Sequence, residues 1–188
     1  LVSMYYDSDS KFSLSVNSRA PRDATQDHVK QEWDAYIKRS RNLKHITQTP
    51  ARMARKLQGQ DAIREIYNSL PASRHPNLAT DPQKWLIECQ NQPGVPDPTG
   101  QSPYGVGGFL ITIHGEFEEI EFATGQPRHH RSFDRIFILG PGGPSGVRIV
   151  TEMWTVRAYG GSEAWKVDGQ AADPDQLIAQ LCAVTGMN

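Results

Sequence analysis

Three long strand-like segments in the second half of the sequence constrain the fold most strongly. They cover Phe109–Phe122, Arg131–Leu139 and Val147–Tyr159. A strand with one solvated face alternates apolar and polar residues, whereas each of these segments carries apolar residues at both parities. In the second segment, for example, Phe133 points to one side and Ile136 to the other. The sequence therefore predicts a sheet that must be covered on both faces.

Two sources of cover are open at this point. Helical segments are few and can cover only one face, so the second face is buried either by another protein or by the chain's own loops and C-terminal segment. Four charged residues lie among the apolar strand positions, namely Asp134, Arg135, Glu152 and Arg157. In the first case we expect these charges to take part in the contact with the partner.

The first half of the sequence indicates helices. Val29, Trp33 and Ile37 follow one another by four residues and would share one helix face. A stronger helix is predicted over Asp61–Leu70, with Gly59 before it and a proline directly after it.

Shorter strands precede the three long ones. Lys11–Val16 and Trp85–Gln90 are predicted strands, and the second ends in a Pro/Gly-rich loop over Gln92–Gly108. A change of apolar parity in the first long strand predicts a bulge near Gly115–Glu119. Helices followed by a meander of long antiparallel strands predict an α+β fold, with the helices on one face of the sheet.

The C-terminal segment is separate in character. A Gly/Ala/Asp linker over Val167–Ala172 leads to a helix start at Asp173–Gln176, in which an acidic N-cap precedes a proline. One short amphipathic helix cannot bury its apolar face alone, so we expect it to dock elsewhere or to begin another domain.

Charge and cysteine content exclude several classes of protein. The 20 Lys+Arg and 21 Asp+Glu residues leave a net charge of −1, without the basic excess of a dedicated DNA-binding module. No uncharged apolar run approaches the roughly 20 residues that span a bilayer, so a soluble protein is predicted. Cys89 and Cys182 lie far apart, which fits buried thiols in a reducing compartment.

Some residue groups could carry chemistry. Adjacent strand residues such as His129 and His130 point to opposite faces and cannot both bind one metal ion, so a solvated turn is predicted there. His114 and Asp134 could form an acid/base pair inside a cone-shaped sheet, which is the alternative, enzymatic hypothesis of a dehydratase or isomerase.

Two further segments have simple explanations. The glycine-rich segment 140–146 lacks the Gly-Lys-Ser/Thr ending of a phosphate loop and is predicted to be a hairpin turn. Arg52, Arg55 and Lys56 form a basic stretch that is either a solvated face or a non-specific contact to RNA phosphate.

Several sequence motifs occur together and in a fixed order. They are Arg39–Leu43, Ser69–His75, Ile113–Phe117, Arg131–Phe137, Val156–Tyr159 and Glu163–Trp165. Together they resemble the nuclear-transport-factor-2-like domain of the TAP/NXF family of general mRNA export receptors, in its fungal form. The tail that ends in Thr185–Asn188 resembles the first helix and Gly-Met loop of the family's ubiquitin-associated-like domain.

This resemblance implies an architecture and a role. Residues 1–166 would form a curved antiparallel sheet shaped as a cone with helices on one face, 167–172 a linker, and 173–188 the first helix of a ubiquitin-associated-like domain. The family's first helix would precede Leu1. The implied function is non-catalytic mRNA export, without cofactor, metal, membrane or small-molecule substrate, in a protein that shuttles between nucleus, nuclear pore and cytoplasm.

The resemblance also implies partners and site residues. A small export cofactor protein of the same fold would pack its sheet against this one, with Arg41 paired to a partner aspartate. Phe-Gly repeats of nucleoporins would bind at Pro141 and Val147, and RNA mainly through other domains of the family. With the embedded strand residues included, the expected partner interface comprises Arg41, Asp134, Arg135, Glu152 and Trp154.

Overall fold

The computed structural model describes residues 2–18, 33–42 and 46–159. The expected linker and C-terminal helix, the motif at Glu163–Trp165, Val29 and Cys182 lie outside these residues. The described helices are α1 (Val2–Tyr5), α2 (Asp34–Ile37), α3 (Thr49–Ala54) and α4 (Gln60–Ser69). The strands are β1 (Lys11–Asn17), β2 (Leu57–Gln58), β3 (Ser73–Arg74), β4 (Leu86–Val95), β5 (Val106–Ile120), β6 (Pro127–Pro141) and β7 (Val147–Ala158).

The seven strands form one curved sheet that does not close into a barrel. Its order is β2-β1-β7-β6-β5-β3. Both β3 and β4 pair with the edge of β5 that faces away from β6, β3 near the C-terminal end of β5 and β4 along its N-terminal part. All pairs are antiparallel except β1 and β7, which run parallel with Leu14 beside Trp154. The expectation of a purely antiparallel sheet is therefore wrong at β1, because apolar alternation places a strand in a sheet without defining its neighbour or direction.

Helix α4 confirms the prediction made from its flanking residues. It follows Gly59, whose φ of 87° few other residues adopt, and it buries Ile63 and Ile66 against the sheet. Helix α2 differs from its prediction. Tyr36 is its buried residue, whereas Ile37 is half exposed, and the helix begins only at Asp34, after Trp33.

Strand β4 is longer than predicted and extends into the Pro/Gly-rich segment. Its last residue, Val95, is buried beside Gly108 and Gly140. A Cβ atom at either glycine would come within 2.6 Å of the Val95 side chain. The first part of this segment therefore packs the Val95 side chain over β5 and β6 at one end of the sheet.

The hairpins and the bulge lie near their predicted places. The register between β5 and β6 shifts at Glu119/Ile120, and the turn after β6 is closed by the N–H of Gly142 donating to the carbonyl of Gly146. His129 and His130, however, belong to β6, so the solvated turn expected there is wrong. Among the described residues, no group of three or more His, Cys, Asp or Glu side chains is placed to hold a metal ion.

The main core lies on the face of the sheet that α2 and α4 cover, which we call the inner face. Its buried residues are Tyr6, Phe12, Leu14, Val16, Tyr36, Ile63, Ile66, Phe117, Phe133, Trp154 and Val156. None of the described helices is both long enough and apolar enough to cross a membrane. Cys89 is exposed on β4, so its expected burial is wrong.

Candidate protein-binding site

The second face of the sheet, which we call the outer face, combines apolar and charged side chains. Because Phe133 and Trp154 face the core, their neighbours along β6 and β7 point outward. Leu86 and Met153 are 56% and 40% exposed, and the other members are partly exposed. The outer face comprises Leu86, Leu110, Thr112, His114, Asp134, Ile136, Ile138, Met153, Thr155 and Arg157.

Three charged or ionisable side chains form a row across the outer face. His114 and Asp134 are opposite each other in the β5–β6 register, and their Nδ1 and Oδ1 atoms lie 2.5 Å apart. Arg157 lies on β7, and its Nη2 donates to the same Oδ1 at 2.9 Å. The row therefore holds Asp134 between a histidine and an arginine, beside the apolar side chains of the outer face.

The position of this row corrects the enzymatic hypothesis. That hypothesis places His114 and Asp134 inside the cone, facing a polar pocket. The two side chains do meet, but on the outer face, with 42% and 28% of their surfaces exposed. The inner face behind them is occupied by aromatic rings, with the centroids of Phe117 and Phe133 6.1 Å apart. The predicted location is wrong, because adjacent strand residues alternate faces and Asp134 lies between Phe133 and Arg135.

Arg135 and Glu152, which the sequence assigns to a partner contact, lie instead on the inner face. Glu152 is fully buried and accepts hydrogen bonds from Arg135 Nε at 2.8 Å and from the Tyr67 hydroxyl at 2.8 Å. The Tyr6 hydroxyl donates to the same carboxylate. Trp154 packs beside them, 4.7 Å from the Arg135 guanidinium. The assignment of Arg135, Glu152 and Trp154 to a partner interface is therefore corrected: this chain buries Glu152 and Trp154 itself, and it pairs Arg135, whose side chain is 19% exposed, with Glu152 on the inner face.

Burial shifts the acid–base behaviour of this inner cluster. Removal from water raises the pKa of Tyr6 and of Tyr67 far above the usual tyrosine value, and the nearby Glu152 carboxylate raises both further. For Arg135, burial opposes the charged form, but Glu152 outweighs it and raises the arginine pKa. Both tyrosines therefore stay protonated as hydrogen-bond donors to the carboxylate.

A second buried ion pair was not predicted from the sequence. Arg131 is fully buried and pairs with Glu119 across the β5–β6 hairpin. The ring of Trp33 stacks on the Arg131 guanidinium at 3.8 Å, a cation–π contact. The sequence does contain an indication of this pair, namely an arginine and a glutamate at inward-facing positions of two strands that are predicted to pair.

Arg41 lies between the end of α2 and the start of α3. Its backbone N–H donates to the carbonyl of Leu14 at 2.6 Å, and its Nε donates to the carbonyl of Arg52 at 3.2 Å. Among the described residues, no carboxylate forms an ion pair with its half-buried guanidinium. The neighbouring Ser40 and Asn42 line a groove of about 550 Å³ between β1, α2 and α3. Arg41 is thus a fixed cation beside an open groove.

The basic stretch does not form one continuous patch. The Nε of Arg52 donates to the carbonyl of Ile46 at 2.5 Å, which turns this side chain back onto the preceding loop. Arg55 lines the groove beside Arg41, and Lys56 is exposed.

Pro141 and Val147 face each other across the β6–β7 turn. Val147 is 41% exposed. Helix α1 lies beside the same turn, where the Ser145 hydroxyl donates to the carbonyl of the half-exposed Met4 at 3.4 Å. Residues of α1 therefore flank this turn.

These features define a class of protein. A curved, open sheet with helices on its inner face is the architecture of a nuclear-transport-factor-2-like domain. One similar chain is found in the crystal structure of the Candida albicans Mtr2–Mex67 M domain complex. It has a TM-score of 0.63 and 28% identity, and the match covers 86% of this chain and 85% of that chain. The NTF2-like domain of Chaetomium thermophilum Mex67, complexed with Mtr2, has a TM-score of 0.57 and 31% identity, with coverage of 83% and 74%.

The chain belongs to the nuclear RNA export factor family through its NTF2 domain, whose model matches residues 1–157. The mRNA export factor mex67 of Schizosaccharomyces pombe is 30% identical over 173 residues, which cover 92% of this chain and 26% of the relative. MEX67 of Saccharomyces cerevisiae is 28% identical over 216 residues, covering 97% and 33%. The chain therefore spans about a quarter to a third of the length of the curated relatives it matches.

Proposed function

We propose that this domain is the heterodimerising part of an mRNA export receptor. Its partner is a small protein of the same fold, of the Mtr2 type found in the similar solved complexes. The outer face carries the proposal, because it presents exposed Leu86 and Met153 around the row formed by His114, Asp134 and Arg157. Burial of apolar area is the main source of affinity at such a surface, and the row supplies orientation and specificity.

Arg41 forms the second contact with this partner. Its guanidinium is held by a carbonyl and lacks a carboxylate within the described chain, which suits it to an aspartate of the partner. Its position next to an open groove gives an approaching segment access to it. Of the interface residues expected from the sequence, Arg41 and Asp134 thus remain in the proposal.

The β6–β7 turn is the proposed site for Phe-Gly repeats of nucleoporins. Val147, Pro141 and Met4 offer exposed apolar surface at one end of the sheet. A single phenylalanine inserted there binds weakly, and many repeats together give useful avidity with rapid exchange. This site is separate from the outer face, so the domain could bind cofactor and repeats at the same time.

RNA contact through this domain is a smaller part of the proposal. Arg55 and Lys56 are the basic residues left accessible after Arg52 bonds to Ile46. Two cations neutralise few phosphates, and such binding depends steeply on salt. The main RNA contacts are therefore proposed for other domains of the receptor, which acts at the nuclear pore and shuttles between nucleus and cytoplasm.

The molecular mass in solution tests the heterodimer. Light scattering of the chain alone and mixed with an Mtr2-type protein should show a 1:1 complex. Met153→Asp places a charge on the outer face and should prevent this complex. Leu78→Asp is the matched control, because Leu78 is similarly exposed at 51% but lies in the loop before β4. Equal complex formation by both variants would contradict the outer-face assignment.

A further inference from the structure

Thr49 stands in a sequence context that proline-directed protein kinases accept. It is followed by Pro50, and Arg52 is three residues beyond it. Proline at the next position lacks an N–H group, and the basic residue three positions on provides a charge for an acidic pocket of the kinase. The sequence Thr-Pro-Ala-Arg supplies both features.

The local structure leaves this threonine accessible. Thr49 is exposed, and none of the six residues of α3 is buried. Gln48, directly before it, is already extended, with φ −83° and ψ 131°. Kinases bind the acceptor segment in an extended form. Opening α3 breaks the bonds from Arg52 to Ile46 and Gln48 but exposes no buried residue, so its cost is small. The segment can therefore adopt the conformation that phosphorylation requires.

The sequence holds one other Ser/Thr-Pro pair, which lacks both the basic residue and the accessible conformation. Ser102 precedes Pro103, but Gly105 stands at the position that Arg52 has relative to Thr49. The Ser102 hydroxyl donates to the carbonyl of Gly105 at 2.7 Å, and its N–H donates to Asp97 at 2.8 Å. Ser102 is thus held in a closed turn and serves as an internal control.

We propose that Thr49 is a phosphorylation site for a proline-directed, basic-preferring protein kinase. The Thr49 hydroxyl oxygen attacks the γ-phosphorus of Mg-ATP, the bond to the ADP oxygen breaks, and the hydroxyl proton goes to the kinase base. The product carries about −1.5 to −2 charges at neutral pH. Its neighbours Gln48 and Ala51 line the groove beside Arg41, so the phosphate would oppose an acidic partner segment there. This consequence rests on the proposed function, whereas the phosphorylation itself does not.

Phosphorylation of the whole purified chain tests the site. We expect a cyclin-dependent kinase with its cyclin and Mg-ATP to add one phosphate, located at Thr49 by peptide mass spectrometry. Thr49→Ala should lower incorporation at least tenfold, and Arg52→Gln should slow it. Ser102→Ala should leave incorporation unchanged. Circular dichroism of each variant checks that it is folded.

The outcomes separate this site from the proposed function. Phosphate at Ser102, or no incorporation while a control peptide is labelled, would overturn the assignment of Thr49. Incorporation is measured on the chain alone, so failure to bind an Mtr2-type protein would leave that result unaffected. Binding of the phosphorylated chain to the partner is measured separately, and unchanged affinity would overturn only the regulatory consequence.

Discussion

Arg135 and Glu152 form an ion pair on the inner face of the sheet, with the arginine Nε 2.8 Å from the glutamate Oε1. They are diagonal neighbours, since Arg135 is opposite Trp154 and Glu152 is opposite Phe137 in the β6–β7 register. The charges embedded in these two strands thus divide between the faces of the sheet. One pair is neutralised within the core, and Asp134 is held at the surface where a partner can reach it.

Removal of the buried carboxylate should destabilise the domain strongly. Glu152→Ala leaves the Arg135 guanidinium and two tyrosine hydroxyls without their acceptor. We expect the free energy of unfolding to fall by about 3–5 kcal/mol, measured by urea denaturation. Glu118→Ala is the control, because its pair with Arg74 is solvent-exposed and such pairs contribute about 0–1 kcal/mol. A Glu152→Ala loss as small as the control's would contradict a buried pair.

A side chain at Gly115 should destabilise the fold, because the Phe133 ring lies directly over this position. A Cβ atom at Gly115 would come 2.9 Å from that ring. We expect Gly115→Ala to lower the free energy of unfolding by about 1–3 kcal/mol through overpacking. Gly107, also on β5, has no atom within 4 Å of its Cβ position, so Gly107→Ala should be neutral or slightly stabilising. Similar thermal melts for the two variants would refute this packing.

Charge reversal at Arg41 should abolish the heterodimer while the fold persists. Arg41→Glu removes the cation proposed to meet a partner aspartate, with an expected loss of about 3–5 kcal/mol in binding, or more than about 100-fold in Kd. Lys38→Glu changes charge equally at a nearby exposed position and should reduce binding only slightly. Calorimetric titration with an Mtr2-type protein measures both. An undiminished affinity of Arg41→Glu would remove this residue from the interface.

Val147→Arg should weaken binding of Phe-Gly repeats without affecting the heterodimer. The substitution places a charge on exposed apolar surface at the β6–β7 turn. Thr124→Arg introduces the same charge in the β5–β6 turn, and this variant should retain repeat binding. Pull-down by immobilised Phe-Gly repeats, with the heterodimer as input, gives the comparison. Retention of Val147→Arg at the control level would place the repeat site elsewhere.

His75 should make the fold less stable in mild acid. The His75 ring packs against Trp85, Phe117 and Phe133, and the partial loss of hydration lowers the pKa of this otherwise exposed residue; the positive charge of Arg135 adds to the effect. The folded state therefore favours neutral histidine, so its contribution is present above the unfolded value of about 6.5 and is lost as the pH falls below it. His75→Phe keeps the ring contacts without a titrating group.

Urea denaturation at several pH values between about 5 and 7.5 compares the two proteins. The native chain should lose more stability than His75→Phe as the pH decreases through this range. Parallel pH profiles would show that the folded state does not discriminate against the histidinium.

Local signals in the sequence predicted most of the elements. Gly59 and Pro71 bracket α4, three long segments rich in apolar residues mark β5 to β7, and the glycines of segment 140–146 mark the last hairpin. The motifs along the chain also led to the family that the model match over residues 1–157 confirms. These signals are readable because they depend on backbone conformation and spacing between near neighbours.

Only the tertiary structure decided which strand β1 joins and which face of the sheet receives each charge. Leu14 pairs in parallel with Trp154, 140 positions later, and the Tyr6 and Tyr67 hydroxyls converge on Glu152 from separate parts of the chain. An embedded charge looks the same in a sequence whether its counter-charge belongs to the same chain or to a partner. The free energy that separates these cases comes from desolvation and pairing in three dimensions, and residue spacing alone does not contain it.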